Sequence, residues 1–102
     1  MDSKILLGKI LQKFIDAKIS QVKYYNSFGY IRETNKAVYV TRENGQETMI
    51  SFNKLIQAIE AYQSNSDLYI QGPTALRDFG ITHVTSPIWS LLHLLNKDEY
   101  SK

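Results

Sequence analysis

Between positions 23 and 42, aromatic and basic residues alternate along the chain: Tyr24, Tyr25, Tyr30 and Tyr39 are interleaved with Lys23, Arg32, Lys36 and Arg42. That mixture has a chemistry. Bases stack on phenol rings for about 1–3 kcal/mol each, and guanidinium or ammonium groups answer the phosphates between them. The surrounding texture is β. "QVKYY", "FGYIRE", "KAVYVTR" and "ETMISF" are rich in Val, Ile, Tyr and Thr and are parted by "NS", "TN" and "ENGQ". Strand alternation puts Phe28, Tyr30 and Arg32 on one side of their strand, and Gly29 and Ile31 on the other. In the next strand, Tyr39 and Thr41 point away from Val38 and Val40. Burying Ile31, Val38 and Val40 is therefore expected to expose Tyr30, Arg32 and Tyr39 together. Two other readings use the same residues. Tyrosine is a favoured strand former that stabilises cross-strand pairs, and Tyr with Arg is enriched at protein–protein interfaces.

Catalysis needs converging polar groups, and the sequence presents no such set. His83 and His93 have no helical spacing to each other, and a third ligand from Asp78 or Asp98 has no motif behind it. With no cysteine in the chain there is no thiolate metal site, thiol nucleophile or disulfide framework. "DAK", Asp16 to Lys18, has an acid-x-lysine spelling but falls on a helical segment. The tyrosines near Tyr25 lack the spacing, arginine and glutamate of a tyrosine-containing nuclease signature. Neither a phosphate-binding glycine loop nor a serine elbow occurs. The expectation is a protein that is not an enzyme, with no metal and no cofactor.

A second feature lies further on, in "GPTALRDFGITHVTSPIWSLLHLL", Gly72 to Leu95. Two helical segments flank Gly80, with Phe79 and Ile81 beside the turn, so the stretch resembles a helix-turn-helix. Leu76 occupies a place where close packing prefers a small residue, and Ser86-Pro87 delays the second helix. That helix is apolar around most of its circumference, which suits a core better than a DNA groove. The turn "THVTS" offers the better contacts: Thr82 and Thr85 through hydroxyls and His83 through its ring N–H would meet phosphates.

The elements that must position these residues follow from periodicity and punctuation. Ser3 is expected to cap a helix with Ile5, Leu6, Ile10, Leu11, Phe14 and Ile15 on its apolar face. An antiparallel meander of three to four strands follows, with Asn44-Gly45 as a type I′ hairpin turn. Ser51 or Asn53 caps "FNKLIQAIEAYQ", and "LYI" reads as one more short strand. Thr74 starts "ALRDF", which Gly80 ends in the left-handed conformation. Ser86 caps a last helix with Pro87 at its first position.

The 102 residues suit one compact domain, 1–102. At 43% apolar and 22% charged, the chain has the composition of a folded protein. Lys9, Gln12 and Lys13 interrupt the apolar run a signal peptide needs, and no stretch approaches the ~20 apolar residues of a membrane span. A cytoplasmic protein without a membrane partner is expected. A net charge of +2 and a pI near 8.8 lean gently towards polyanions. The fold expected is α+β: an N-terminal helix, the meander, then two or three C-terminal helices. The function expected is a non-enzymatic nucleic-acid-binding domain contacting its ligand through Tyr30, Arg32, Lys36, Tyr39, Arg42, Thr82, His83 and Thr85. The alternative is a small protein-binding module, an inhibitor or accessory subunit of a larger enzyme. Self-association through the first helix, giving a homodimer, is a further expectation.

Overall fold

Helix α1, Ser3–Ala17, turns Leu6, Ile10, Leu11 and Phe14 into the core and leaves Ile5 exposed. A computed structural model describes residues 2–101. The cap of α1 is Asp2 rather than Ser3: its carboxylate accepts from the Lys4 N–H at 2.7 Å. Ser3 is the first helical residue, and its hydroxyl reaches across to Glu60 at 3.0 Å. Lys18 ends the helix in the left-handed region, with φ 67°.

Four strands follow: β1 Ile19–Gln21, β2 Ser27–Glu33, β3 Ala37–Arg42 and β4 Glu47–Ser51, antiparallel in the order β1-β2-β3-β4. The inner face presents Phe28, Val38, Val40 and Ile50 to the helices. The β3–β4 turn differs from the expected type I′. Only Gly45 has positive φ, 87°, while Asn44 does not. Gly45 N–H donates to Arg42 O and Arg42 N–H to Gln46 O, so the loop holds three residues, Glu43 to Gly45. One left-handed glycine suffices for that loop length, whereas a two-residue type I′ turn needs two such positions.

Helix α2, Phe52–Ser64, starts at Ser51, whose hydroxyl accepts from the Lys54 N–H at 3.2 Å. Leu55, Ala58, Ile59 and Tyr62 pack inward. "LYI" is not a strand but part of a 3-10 helix, Ser66–Ile70, opened by the Asn65 side chain accepting from Asp67 N–H. That local bond gives the backbone an alternative to a sheet ladder. A second 3-10 helix, Pro73–Phe79, ends at Gly80 with φ 87°. A Cβ at Gly80 would lie 2.7 Å from Gln57 Nε2, which itself donates to Phe79 O, so the turn is locked onto α2.

Helix α3, Thr85–Leu92, begins two residues before the expected proline start, after Val84 at φ 52° and without a side-chain cap. Pro87 is tolerated because its missing N–H falls in the first turn, where no intrahelical acceptor exists. Every residue from Pro87 to Leu92 is buried. The C-terminal pair is therefore a 3-10 helix and a helix buried from Pro87 to Leu92. A short helix α4, Lys97–Tyr100, folds Tyr100 into the core, where its hydroxyl donates to Leu92 O.

Beneath α3 lies an aromatic cluster. Tyr62 meets Tyr69, Tyr100 and His93 edge-to-face, at centroid separations of 6.2, 5.1 and 6.2 Å. His93 sits between Trp89 and Tyr69, its two ring nitrogens 2.7 Å from Trp89 O and 2.8 Å from Tyr69 O. The Tyr62 hydroxyl is buried with no hydrogen-bond partner among the described residues. Among those residues no helix is long and apolar enough to cross a membrane.

Candidate nucleic-acid interface

The aromatic and basic residues of the meander do not share one face. Tyr30 pairs with Val40, yet Arg32 pairs with Tyr39, so β2 spends two residues where β3 spends one. This β-bulge resets the alternation in mid-strand. Tyr30 stays on the inner face, its ring 5.4 Å from that of Phe14 at 85°, with the hydroxyl donating to Glu33 at 3.3 Å. Burial, and then the Glu33 carboxylate, raises its phenol above the usual value. Ile31, expected inside, is half-buried and stands apart from the core cluster. The expected trio of Tyr30, Arg32 and Tyr39 is thus split by the bulge.

Arg32 and Tyr39 do lie together on the outer face. The guanidinium sits 4.1 Å over the Tyr39 ring, and both terminal nitrogens donate to Glu47, each at 3.2 Å. That forked contact, before any other influence, raises the guanidinium further above its already high range. The positive charge is answered within the fold, and the best stacking face of Tyr39 is covered. Met49 and Ile19, 54% and 51% exposed, share the outer face. Lys36 is exposed in the β2–β3 turn, which Thr34 closes by accepting from the Lys36 and Ala37 N–H groups.

Arg42 belongs to the inner side, opposite Phe28. Its guanidinium is 5.8 Å from that ring and its Nε donates to the Thr48 hydroxyl at 2.9 Å. Thr82 and His83 are exposed in the loop after Gly80, and Thr85 is the half-buried first residue of α3. The eight expected contacts therefore fall in four places: the inner face, the outer face, the β2–β3 turn, and the loop leading into α3.

A different grouping emerges between the β1–β2 connection and α3. Tyr24 has φ 73°, a conformation that L residues with bulky side chains rarely adopt. Its ring is 91% exposed, with Lys23 Nζ 5.2 Å from the ring centre. Tyr25, 46% exposed, leans on Trp89 at a centroid separation of 4.6 Å. The connection is held by Tyr25 N–H donating to Val22 O and by the Gln21 amide donating to Tyr25 O. Trp89 is held by its indole N–H, which donates to Gln71 O at 2.8 Å. Beside these rings opens a cleft of about 150 Å³, with Phe28 and Ser90 among its lining residues and Asn26, Pro73 and Ser86 around it. Ser90 is tied to Ser20 by a buried hydroxyl pair at 2.7 Å, which fastens α3 to β1.

Asn26 and Phe28 also line a neighbouring hollow that Arg42, Glu43 and Asn44 complete. The two hollows share Asn26 and Phe28; Tyr24, with Lys23 beside it, lines the first, and Arg42 lines the second. Glu43 is anchored there, one carboxylate oxygen accepting from the Ser27 N–H and hydroxyl at 3.0 and 3.3 Å. Sequence reasoning noted Tyr24, Tyr25 and Lys23 but assigned the contact surface elsewhere. It missed Trp89, Asn26 and Ser86, because only tertiary packing carries α3 to the β1–β2 connection. Among the described residues, no three His, Cys, Asp or Glu groups gather as metal ligands would. No family model, curated protein or solved structure matches this chain.

Proposed function

We propose that this chain is a non-enzymatic nucleic-acid-binding domain whose contact surface is the groove running from Tyr24 past Trp89 to Arg42. The observation that carries the reading is Tyr24. A bulky residue is held in a costly backbone conformation while its ring remains in water, beside a lysine and next to a second aromatic pair. Strain of that kind persists only where the surrounding structure over-determines it, and it clusters at ligand sites. Lys23 and Arg42 supply phosphate contacts and the tyrosines supply stacking. A cysteine-free chain suits a reducing cytoplasm, the location that goes with this reading.

Titration of labelled oligonucleotides at several salt concentrations tests it. Two phosphate contacts give a log–log salt slope of roughly −1.4 on a single strand and −1.8 on a duplex. Lys23→Ala should flatten that slope by about 0.7–0.9. Absence of binding to any oligonucleotide at low salt overturns the reading.

One observation favours a second reading. On the outer sheet face Glu47 answers the charge of Arg32, leaving a nearly neutral surface with Met49 and Ile19 exposed, which suits a protein partner. An inhibitor or accessory subunit gripping a larger enzyme there would bind with a shallow salt dependence. Met49→Asp should abolish such binding and leave oligonucleotide affinity unaltered. Self-association through α1 would rest on exposed Ile5, and sedimentation at rising concentration reads it directly.

A further inference from the structure

We infer that the groove receives an unpaired base, so that the ligand is single-stranded nucleic acid rather than a duplex. This rests on the nucleic-acid reading above and narrows it. The cleft between Tyr25 and α3, about 150 Å³, is well below the ~300 Å³ at which pockets for drug-sized ligands begin. Its scale is that of one planar ring. Bases inside a duplex are already stacked on their neighbours and expose only their edges, so they cannot lie on a phenol face without being flipped out. The cleft offers faces: Tyr24 stands open, and Tyr25 is backed by Trp89, which holds its ring in place. At the rim, the Asn26 amide and the Ser86 hydroxyl make no hydrogen bond to other described residues, and both can meet a base edge.

Among the described elements, the helix that would read a duplex in a helix-turn-helix is not free to do so. Helix α3 is buried throughout its Pro87–Leu92 stretch. On the exposed side of α1, Gln12 is engaged with Asp16, and Lys9 with Glu99. Arg32, on the outer sheet face, is forked by Glu47. The cleft region instead sets aromatic faces beside cationic side chains, Lys23 next to Tyr24 and Arg42 next to Phe28, the arrangement that tracks a single strand.

The test uses the full chain, a labelled oligothymidylate, its RNA counterpart, and a duplex of matched length. Trp89, the sole tryptophan, reports occupancy of the cleft through its own fluorescence. The expected result is at least tenfold tighter binding of either single strand than of the duplex, with a change in Trp89 emission on saturation. Tyr24→Ala should weaken single-strand binding by roughly 5- to 150-fold, the equivalent of one lost stacking contact. Tyr24→Phe should retain it. Tyr24→Gly provides the folding control, since glycine adopts positive φ without strain; it should lose affinity as Tyr24→Ala does while unfolding no more readily than the parent. Equal or tighter duplex binding overturns the inference and leaves the broader reading standing; unchanged single-strand affinity in Tyr24→Gly overturns the inference and the Tyr24-centred contact surface with it. Failure of every oligonucleotide to bind removes both.

Discussion

Two tyrosines carry costs that the rest of the molecule must support, and they differ in kind. Tyr24 stores backbone strain in an exposed position, with φ 73°. A single residue held in the left-handed region costs of order 1–2 kcal/mol. Tyr24→Gly should therefore raise stability by about 1 kcal/mol in urea denaturation; a loss of stability would show that the ring holds the connection in place instead. Tyr62 has the opposite problem, a hydroxyl buried without a partner among the described residues. Its ring still contributes through edge-to-face contacts with Tyr69 and Tyr100. An unsatisfied buried polar group costs about 1–3 kcal/mol, so Tyr62→Phe should leave stability unchanged or raise it by about 1 kcal/mol. A clear fall in the urea midpoint would mean that the hydroxyl has an ordered water as partner.

At the scale of elements, the bulge in β2 decides which residues face the solvent. Tyr30 pairs with Val40 and Arg32 with Tyr39, so Ile31 is the surplus residue. Deleting Ile31 makes Tyr30 and Arg32 neighbours, and simple alternation then sends one inward and the other outward, as the bulged strand already does. The deletion variant should fold cooperatively, lose no more than about 2 kcal/mol, and keep the Arg32–Glu47 contact. If it fails to fold, the strand curvature created by the bulge is indispensable. Circular dichroism with a denaturation series separates these outcomes. The same bulge explains why the site was only partly legible in the sequence. Tyr30, Arg32 and Tyr39 were assigned one surface because period-two alternation was carried through a position where the ladder slips by one. Nothing in "FGYIRE" announces that slip.

For the whole molecule, the aromatic cluster beneath α3 sets the alkaline limit of the fold. Burial, and then its neighbour Tyr69, raises the Tyr62 phenol far above its ordinary value of 10.0. Burial likewise raises Tyr100, followed by Tyr62, Tyr69 and Glu99. The unfolded chain gives up these protons near pH 10, whereas the folded chain retains them. Their contribution is thus complete below about pH 10 and is lost as pH climbs above it. Stability should fall steeply with alkalinity, and part of the tyrosinate absorbance at high pH should develop together with loss of the far-ultraviolet signal. Full ionisation of all seven tyrosines with the fold intact would contradict the burial of Tyr62 and Tyr100.

Local sequence was enough to place α1, the meander, α2 and the turn at Gly80, because each depends on near neighbours. Apolar spacing in "ILLGKILQKFI", the cap at Ser51 and the left-handed glycines at 45 and 80 act over a few residues. The short 3-10 segment in place of "LYI" was less visible because the Asn65 cap competes locally with a strand, and the early start of α3 because weak propensities there yield to packing. The groove was beyond local reading altogether. Tyr25 and Trp89 are sixty-four positions apart, and no pattern in either segment names the other; only burying α3 against β1 and β2 brings the two rings within 4.6 Å. Residue types and their periods determined the elements and their inner faces, while the contacts between distant elements, decided by how the core closes, determined where a ligand could rest.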